Sequence, residues 1–324
     1  MSHLILSTNH LDENVLRQSG VANVVLGFYA RFVWAKLPSE ERLLIGLEPR
    51  SAKHCNSGDH WLDDSCRGSL EGFGTRDIGL FELCAKFDSI EIWVDPRPND
   101  QLVLVWLLNL LRPYKEITTK LSLVHTDDHV ADYASESVAK WKLPAFKVTD
   151  NHLLLASRVW QAYRAETPES CFDLLMTDLM ILPRLRPALI ALLEELPDSV
   201  TGLGASEMDI LDFVNDGHTD PRRVTEARWM RDVLEEGEAR DALLELGAHS
   251  APPVLLGDPA FDNEARYFGK SEWKVTLTEV GRSIFAREDD MWRHNRIYRW
   301  WGGTELTNER LWRWDRESRL LVAP

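Results

Sequence analysis

The chain has 324 residues, of which 44% are hydrophobic and 27% charged, and its net charge is −15 at pH 7. This composition excludes a wholly disordered or collagen-like chain, and the longest apolar run, Leu102–Leu111, is too short to span a bilayer. The negative charge argues against general binding to nucleic-acid backbones, which is largely electrostatic. With four cysteines and no basic leader, the sequence predicts a cytoplasmic protein with no membrane segment.

The first half of the chain alternates between short apolar runs and helical patterns. The predicted strands are Leu4–Leu6, Val24–Leu26, Ser89–Val94 and Leu121–His125. The predicted helices between them are Asp12–Gln18, Ile78–Phe87 and Leu102–Leu111. Strand and helix in this alternation indicate βαβ units. We therefore expect residues 1–147 to form an α/β domain with an open, mainly parallel sheet and flanking helices.

A mostly helical region is expected to follow the α/β domain. Helices are predicted at Leu153–Tyr163, from Thr167 to about Met176, and at Leu185–Leu196. We interpret residues 148–200 as a helical connector. The apolar runs Leu174–Met176 and Leu179–Leu182 are expected to lie in the core.

Residues 201–324 form the third predicted region. Ser206–Asp209 fits a capping box, and Glu272–Leu277 alternates as a strand does before a helix that Thr278 caps. The segment Leu277–Arg282 resembles the element beside the wing of winged-helix regulators, which implies a winged-helix-like C-terminal domain. A DNA-reading helix needs basic residues. The candidate helix Pro221–Glu236 mixes four arginines with four acids, so packing or protein contact is favoured over DNA binding.

Polar side chains follow three of the predicted strands, at Ser7–His10, Asp95–Gln101 and His125–Asp128. Ligands of open α/β sheets bind beyond the carboxyl ends of the strands. The predicted start of a helix, capped by Asn99 or Asp100, adds free N–H groups there. The sequence therefore predicts a pocket for a small polar ligand. Its predicted lining residues are Ser7, Asn9, Asp95, Asn99, Asp100, Gln101 and His125.

The same residues leave two other interpretations open. Asp95, Asp100 and His125 would suit a hydrolase or transferase acting on a small polar substrate, because a histidine beside carboxylates can act as an acid–base group. Equally, these residues could serve only as a helix cap, an ion pair and a structural histidine. The chain lacks a complete catalytic set, which favours a regulatory protein that binds a small ligand or a protein partner.

No cofactor or metal is predicted. The chain contains no Gly-x-Gly-x-x-Gly after its first strand, no phosphate-binding lysine loop and no Gly-x-Ser-x-Gly. His54, Cys55, His60 and Cys66 have ligand side chains, but their spacing does not match zinc sites.

The C-terminal segment combines seven arginines with five of the 13 tryptophans between residues 291 and 324. Arginine and tryptophan together can stack on bases, which makes a nucleic-acid-associated protein a further alternative. The alternation over Leu311–Trp314 instead favours a β-hairpin with a buried tryptophan face and a solvated arginine face.

Four fragments resemble, in order and spacing, a bacterial domain family of unknown function catalogued as number 1835. The fragments are Ser89–Gln101, Leu196–Asp209, Val275–Ala286 and Trp300–Asp315. The resemblance spans most of the chain and implies an N-terminal α/β domain with a helical C-terminal partner region. It implies no particular chemistry.

Overall fold

The structure, a computed structural model, describes residues 2–63, 77–226, 231–257 and 274–324. Its N-terminal half is built on a five-stranded sheet. The strands are β1 (His3–Ser7), β2 (Val24–Gly27), β3 (Ser89–Val94), β4 (Leu121–His125) and β5 (Ala145–Lys147). Their order is β2-β1-β3-β4-β5, with all neighbours parallel except the antiparallel pair β4–β5. The prediction of a mixed α/β fold with a mainly parallel sheet is therefore confirmed.

The strand order places a topological switch point between β1 and β3. The chain leaves β1 for β2 on one side and returns to β3 on the other. Crossover connections consequently diverge at this point, and open α/β sheets bind ligands at such points. The residues that follow Ser7 and Val94 lie there.

Seven helices accompany the sheet in this part of the described chain. They are α1 (Asp12–Ser19), α2 (Glu40–Leu47), α3 (Leu80–Ala85), α4 (Pro98–Leu111), α5 (Lys115–Thr118), α6 (Ser135–Val138) and α7 (Asp150–Tyr163). Helix α1 ends at Gly20, whose φ of 70° is left-handed and favours glycine. Helix α4 is buried over most of its length and packs mainly against α7.

The predicted cap of α4 is wrong. The helix begins at Pro98, with Arg97 as its N-cap residue, and no side chain caps it. Proline suits the first helical position because its fixed φ is helical and its missing N–H would have had no partner. Asn99 and Asp100 consequently lie inside the first turn, where their side chains are free for other contacts.

The remaining elements follow α7 along the chain. They are α8 (Glu169–Leu174), α9 (Leu185–Leu193), α10 (Ala205–Asn215), α11 (Pro221–Val224), α12 (Glu236–Ala248), α13 (Glu279–Phe285), α14 (Met291–His294), β6 (Val254–Gly257), β7 (Lys274–Leu277), β8 (Tyr298–Trp301), β9 (Thr304–Thr307), β10 (Arg313–Asp315) and β11 (Leu320–Val322). Strands β6 to β11 pair in sequence as three antiparallel hairpins. No helix of the described chain is both long and apolar enough to cross a membrane.

The chain divides into two compact units. The N-terminal unit comprises Met1–Phe32, Leu37–Arg164 and Leu174–Ala188, and the C-terminal unit comprises Val33–Lys36, Ala165–Asp173 and Leu189–Pro324. The division into three regions at residues 147 and 200 stays a prediction.

Two expectations for the second half are wrong in detail. Helix α11 ends at Val224, and Asp232 has a left-handed φ of 56°, so the described parts of Pro221–Glu236 do not form one helix. Met176 and Met180 are 83% and 77% exposed, although leucines beside them are buried. The segment between α8 and α9 is not one continuous helix, so its apolar side chains do not share one face.

The tryptophans near the C-terminus behave as a hairpin predicts. Strands β10 and β11 pair with each other, and Trp314 is buried. The arginine face is less solvated than expected, because Arg299 and Arg313 are largely covered and form ion pairs with Glu207 and Asp290.

Candidate functional site

Backbone hydrogen bonds beyond the strand ends bring three segments of the N-terminal unit together. Thr8 N donates to Trp93 O at 3.0 Å, which joins the end of β1 to β3. Thr126 N donates to Val94 O at 3.1 Å, which joins the end of β4 to β3. The polar residues after β1, β3 and β4 therefore meet at the topological switch point.

We call the buried polar side chains at this point the switch-point cluster. Its members are Ser7, Thr8, Asn9, Asp12, Asp95, Asp100, Gln101 and Thr126, and all are buried. The sequence predicted five of them. Asp12, Thr8 and Thr126 were missed.

Asp12 is held by two donors. Ser7 Oγ donates to Oδ2 at 2.9 Å, and the backbone N of Ala131 donates to Oδ1 at 3.1 Å. Burial raises the pKa of Asp12 well above its usual value, and the charge of Asp95 raises it further. No local signal marks this residue, because an acid in the first turn of a helix is common.

Asp95 lies between a threonine and a histidine. Thr126 Oγ1 donates to Asp95 Oδ1 at 2.9 Å. Asp95 Oδ2 lies 3.4 Å from His129 Nδ1 and makes no hydrogen bond within the described chain. His129, which follows β4 by four residues, is thus within ion-pair distance of this carboxylate, and the sequence did not predict it as a site residue.

Asp100 completes the group of carboxylates. Asn9 Nδ2 lies 3.5 Å from Asp100 Oδ2, at the limit of a hydrogen bond. The pKa of Asp100 is raised well above its usual value, first by burial and then by the charges of Asp95 and Asp12. Arg97 and Arg31 act in the opposite direction. The cluster therefore concentrates three acidic groups inside the protein, with two arginines near enough to influence them.

Three buried atoms of the cluster have no hydrogen-bond partner among the described residues: Thr8 Oγ1, Gln101 Oε1 and Asp95 Oδ2, the last of which lies within ion-pair distance of His129. Thr8 is 0% and Gln101 1% exposed. The other end of the Gln101 amide is fixed, because Nε2 donates to Asp95 O at 2.7 Å. Leaving such a group unpaired typically costs about 1–3 kcal/mol, so each of these atoms needs a physical explanation.

Asn99 and His125 are placed differently from the other predicted residues. Asn99 Oδ1 accepts from Phe32 N at 2.9 Å and Nδ2 donates to Ala30 O at 3.0 Å, so its amide is occupied by the backbone. Burial lowers the pKa of His125, and the next largest effects come from Arg184 and His152 rather than from the cluster.

His125 follows the alternation of β4. Val124 packs in the same core as Trp93 and Ile5, and successive side chains of a strand point to opposite faces. The side chain of His125 is therefore expected on the face opposite that of Val124, and its convergence with Asp95 and Asp100 stays a prediction.

The histidine–cysteine segment forms no metal centre among the described residues, within which no three or more His, Cys, Asp or Glu side chains are placed to hold an ion. His54 and His60 lie with their rings 5.0 Å apart. Cys66 lies outside the described residues.

Comparisons with known proteins identify no family for this chain. No protein-family model and no curated protein matches the chain. One match among solved structures is the DNA-binding, cleavage and re-ligation domain of Plasmodium falciparum topoisomerase II, with 11% sequence identity and a TM-score of 0.36. The match covers 94% of this chain and 50% of that one, so this chain spans half the length of the topoisomerase structure. A likeness this weak establishes neither function nor partner.

Proposed function

We propose that the N-terminal unit binds a small polar ligand at the switch-point cluster, and that the protein acts as a ligand-binding regulator rather than as an enzyme. One observation carries this proposal. Thr8 Oγ1 and Gln101 Oε1, on segments that follow β1 and β3, are buried and lack hydrogen-bond partners among the described residues.

Unpaired buried polar atoms are uncommon in folded proteins, and each needs a physical explanation. A ligand that completes their hydrogen bonds supplies one. The position favours this explanation over a packing defect, because switch points of open α/β sheets are where such proteins bind ligands.

Partly exposed side chains lie near the buried cluster. His10, Arg31, Arg97 and His129 are half-buried, and the ring of the exposed Tyr29 stacks on His10 at 3.9 Å between centroids. Arg31 and Arg97 influence the pKa of Asp100, so they stand close to the buried acids. A ligand reaching the cluster would pass these partly exposed side chains.

For the C-terminal unit we propose a winged-helix-like module that contacts protein. Helices α10, α11 and α12 precede the β6–β7 hairpin, and Val275 N donates to Thr219 O at 2.9 Å beside it. Helix α12 carries four acids and one arginine. A helix with this charge would repel phosphates, so a protein partner fits it better than nucleic acid.

A thermal-shift screen of the full chain tests the ligand proposal. The probes are ATP, glucose 6-phosphate, L-glutamate, glucosamine, L-lysine and magnesium chloride. A probe at about one hundred times its Kd should add about 2.7 kcal/mol to the free energy of unfolding. The increase in midpoint should shrink in Thr8→Val, which keeps the shape of the side chain and removes its hydroxyl. If no probe raises the midpoint, or if Thr8→Val responds to every probe as the unmodified protein does, the proposed site is wrong.

A further inference from the structure

We infer that the ligand of the switch-point cluster carries a positively charged amine, and that Gln101 Oε1 accepts a hydrogen bond from it. This inference rests on the proposed function and specifies the chemistry of the ligand. It follows from the kind of hydrogen bond that the cluster can still make, and from the sign of the charges around it.

The atom of the Gln101 side chain that has no hydrogen-bond partner among the described residues is an acceptor, Oε1. The Nε2 atom of Gln101 already donates to the carbonyl of Asp95 at 2.7 Å. Turning the amide over would place Oε1 against that carbonyl, and two acceptors cannot bond to each other. The orientation is thus decided by the hydrogen bond, and the free atom is the oxygen.

A second acceptor of the cluster lacks a hydrogen bond within the described chain, although it lies within ion-pair distance of a histidine. This acceptor is Asp95 Oδ2, which lies 3.4 Å from His129 Nδ1. Thr8 Oγ1 can either donate or accept, so it does not discriminate between ligands. A group with several N–H donors would satisfy Gln101 and leave further donors for a carboxylate or the hydroxyl.

The charges at the cluster favour a cation. Three carboxylates, Asp12, Asp95 and Asp100, are buried there, whereas Arg31 and Arg97 are only half-buried. An ammonium group close to the carboxylates would be stabilised by them, because interactions between charges are stronger where water is excluded. A phosphate or carboxylate in the same place would instead disfavour ionisation of these acids.

Proton release provides an independent readout. The groups that act on Asp100 are Asp95, Asp12, Arg97 and Arg31, and burial together with the two acids raises its pKa. His129 stands beside Asp95. A bound cation would lower the pKa values of the acids and drive protons into solution, whereas a bound anion would have the opposite effect.

The experiment compares three pairs of probes that differ in the amine. They are glucosamine with glucose, L-lysine with L-norleucine, and 1,4-diaminobutane with 1,4-butanediol. We expect the more cationic member of at least one pair to bind the full chain at least tenfold more tightly. Titration calorimetry in two buffers of different ionisation enthalpy should show that this binding releases protons.

Gln101→Met locates the amine. The variant keeps the length of the side chain and removes the acceptor, so we expect at least a tenfold loss of affinity. Gln161→Met, the same change at an exposed position on α7, should bind as the unmodified protein does. If Gln101→Met does not fold, the proton release of the unmodified protein still decides the question.

Three results would overturn the inference. They are equal binding by both members of every pair, proton uptake on binding, and no detectable binding of any of the three amines. Each leaves the proposed function standing if ATP, glucose 6-phosphate, L-glutamate or magnesium chloride still binds in a Thr8-dependent manner. If those probes do not bind either, both the inference and the proposed function are contradicted.

Discussion

Both units enclose clusters of acidic side chains, but the hydrogen bonds of the two clusters are completed differently. In the C-terminal unit, Glu195 accepts from Ser206 N and from Ser206 Oγ, the latter at 2.8 Å. Glu207 accepts from Gly204 N at 2.7 Å and from Arg299 Nη2 at 2.8 Å. Every one of these carboxylates is therefore held by donors from the start of α10 or from β8.

In the switch-point cluster, by contrast, the donors of the described chain leave some acceptors without a hydrogen bond. Asp12 is fully held, but Asp95 Oδ2, Gln101 Oε1 and Thr8 Oγ1 have no hydrogen bond within the described chain. In the C-terminal cluster the atom without a partner is instead a donor, Arg299 Nε. Burial of charge alone does not distinguish a structural cluster from a binding site, and a single unpaired acceptor does not either, since Asp198 Oδ2 in the C-terminal unit also lacks a hydrogen bond among the described residues.

Removal of the cation from the C-terminal cluster has the largest expected effect. Arg299→Met leaves Glu207 buried without its ion partner, and breaking such a pair costs about 3–5 kcal/mol. Chemical denaturation of the full chain should show this loss in the free energy of unfolding.

A second substitution shows whether the loss comes from charge. Glu207→Gln in the Arg299→Met background removes the unpaired carboxylate, and we expect it to recover more than half of the loss. If the free energy of unfolding does not recover, Arg299 acts chiefly by packing on the ring of Trp292. The Cζ atom of Arg299 lies 5.2 Å from the centroid of that ring.

The pH dependence of the C-terminal unit gives the next largest effect. Burial raises the pKa of Glu195 from 4.5 to about 7, so the folded state holds a proton that the unfolded state releases. This stabilisation is complete below pH 4.5 and is lost as the pH rises through 7. A difference of one pH unit between the pKa values of the folded and unfolded states corresponds to about 1.4 kcal/mol, so the loss is about 3 kcal/mol at most.

Glu195→Gln should remove that loss. The variant is neutral at every pH and can still accept from Ser206, so its free energy of unfolding should fall less between about pH 5 and 8. Glu309→Gln, at an exposed position, serves as the matched control. A pH profile for Glu195→Gln that matches the control would show that Glu195 is ionised in the folded protein and that the cluster is solvated.

The crossover from β3 to α4 was predictable because its signals are local. A β-branched and aromatic run in Ser89–Val94 is followed by Pro98 and a long apolar stretch, and this pattern predicts a strand, a corner and a buried helix. Parallel strands then bring their carboxyl ends to one edge of the sheet, which is why Ser7 and Asp95 were expected together.

The orientation of His125 and the role of His129 were not predictable. A parallel strand is buried on both faces, so β4 shows no alternation of apolar and polar residues that would fix the direction of each side chain. His129 and Asp95 are 34 positions apart, and Glu207 and Arg299 are farther apart still. Their contacts depend on packing, which leaves no local pattern in the sequence.

The smallest expected change in stability tests the comparison most directly, because it compares the same substitution at two threonines of the switch-point cluster. Thr126 Oγ1 donates to Asp95 Oδ1 at 2.9 Å, whereas Thr8 Oγ1 has no partner among the described residues. Thr126→Val should therefore cost about 1–2 kcal/mol, since it leaves a buried carboxylate oxygen unpaired. Thr8→Val removes an atom that was already unpaired, so it should be neutral or stabilise the ligand-free protein by up to about 1 kcal/mol.

Chemical denaturation of both variants at one pH measures this difference in stability. The thermal-shift screen then measures the effect of Thr8→Val on ligand binding. Thr8→Val should weaken binding while it preserves or improves stability, as expected when a binding site retains an unpaired group for its ligand. If Thr8→Val destabilises the protein as much as Thr126→Val does, the Thr8 hydroxyl has a partner within the folded chain. The switch-point cluster would then be as complete as the C-terminal one, and its acids would be structural.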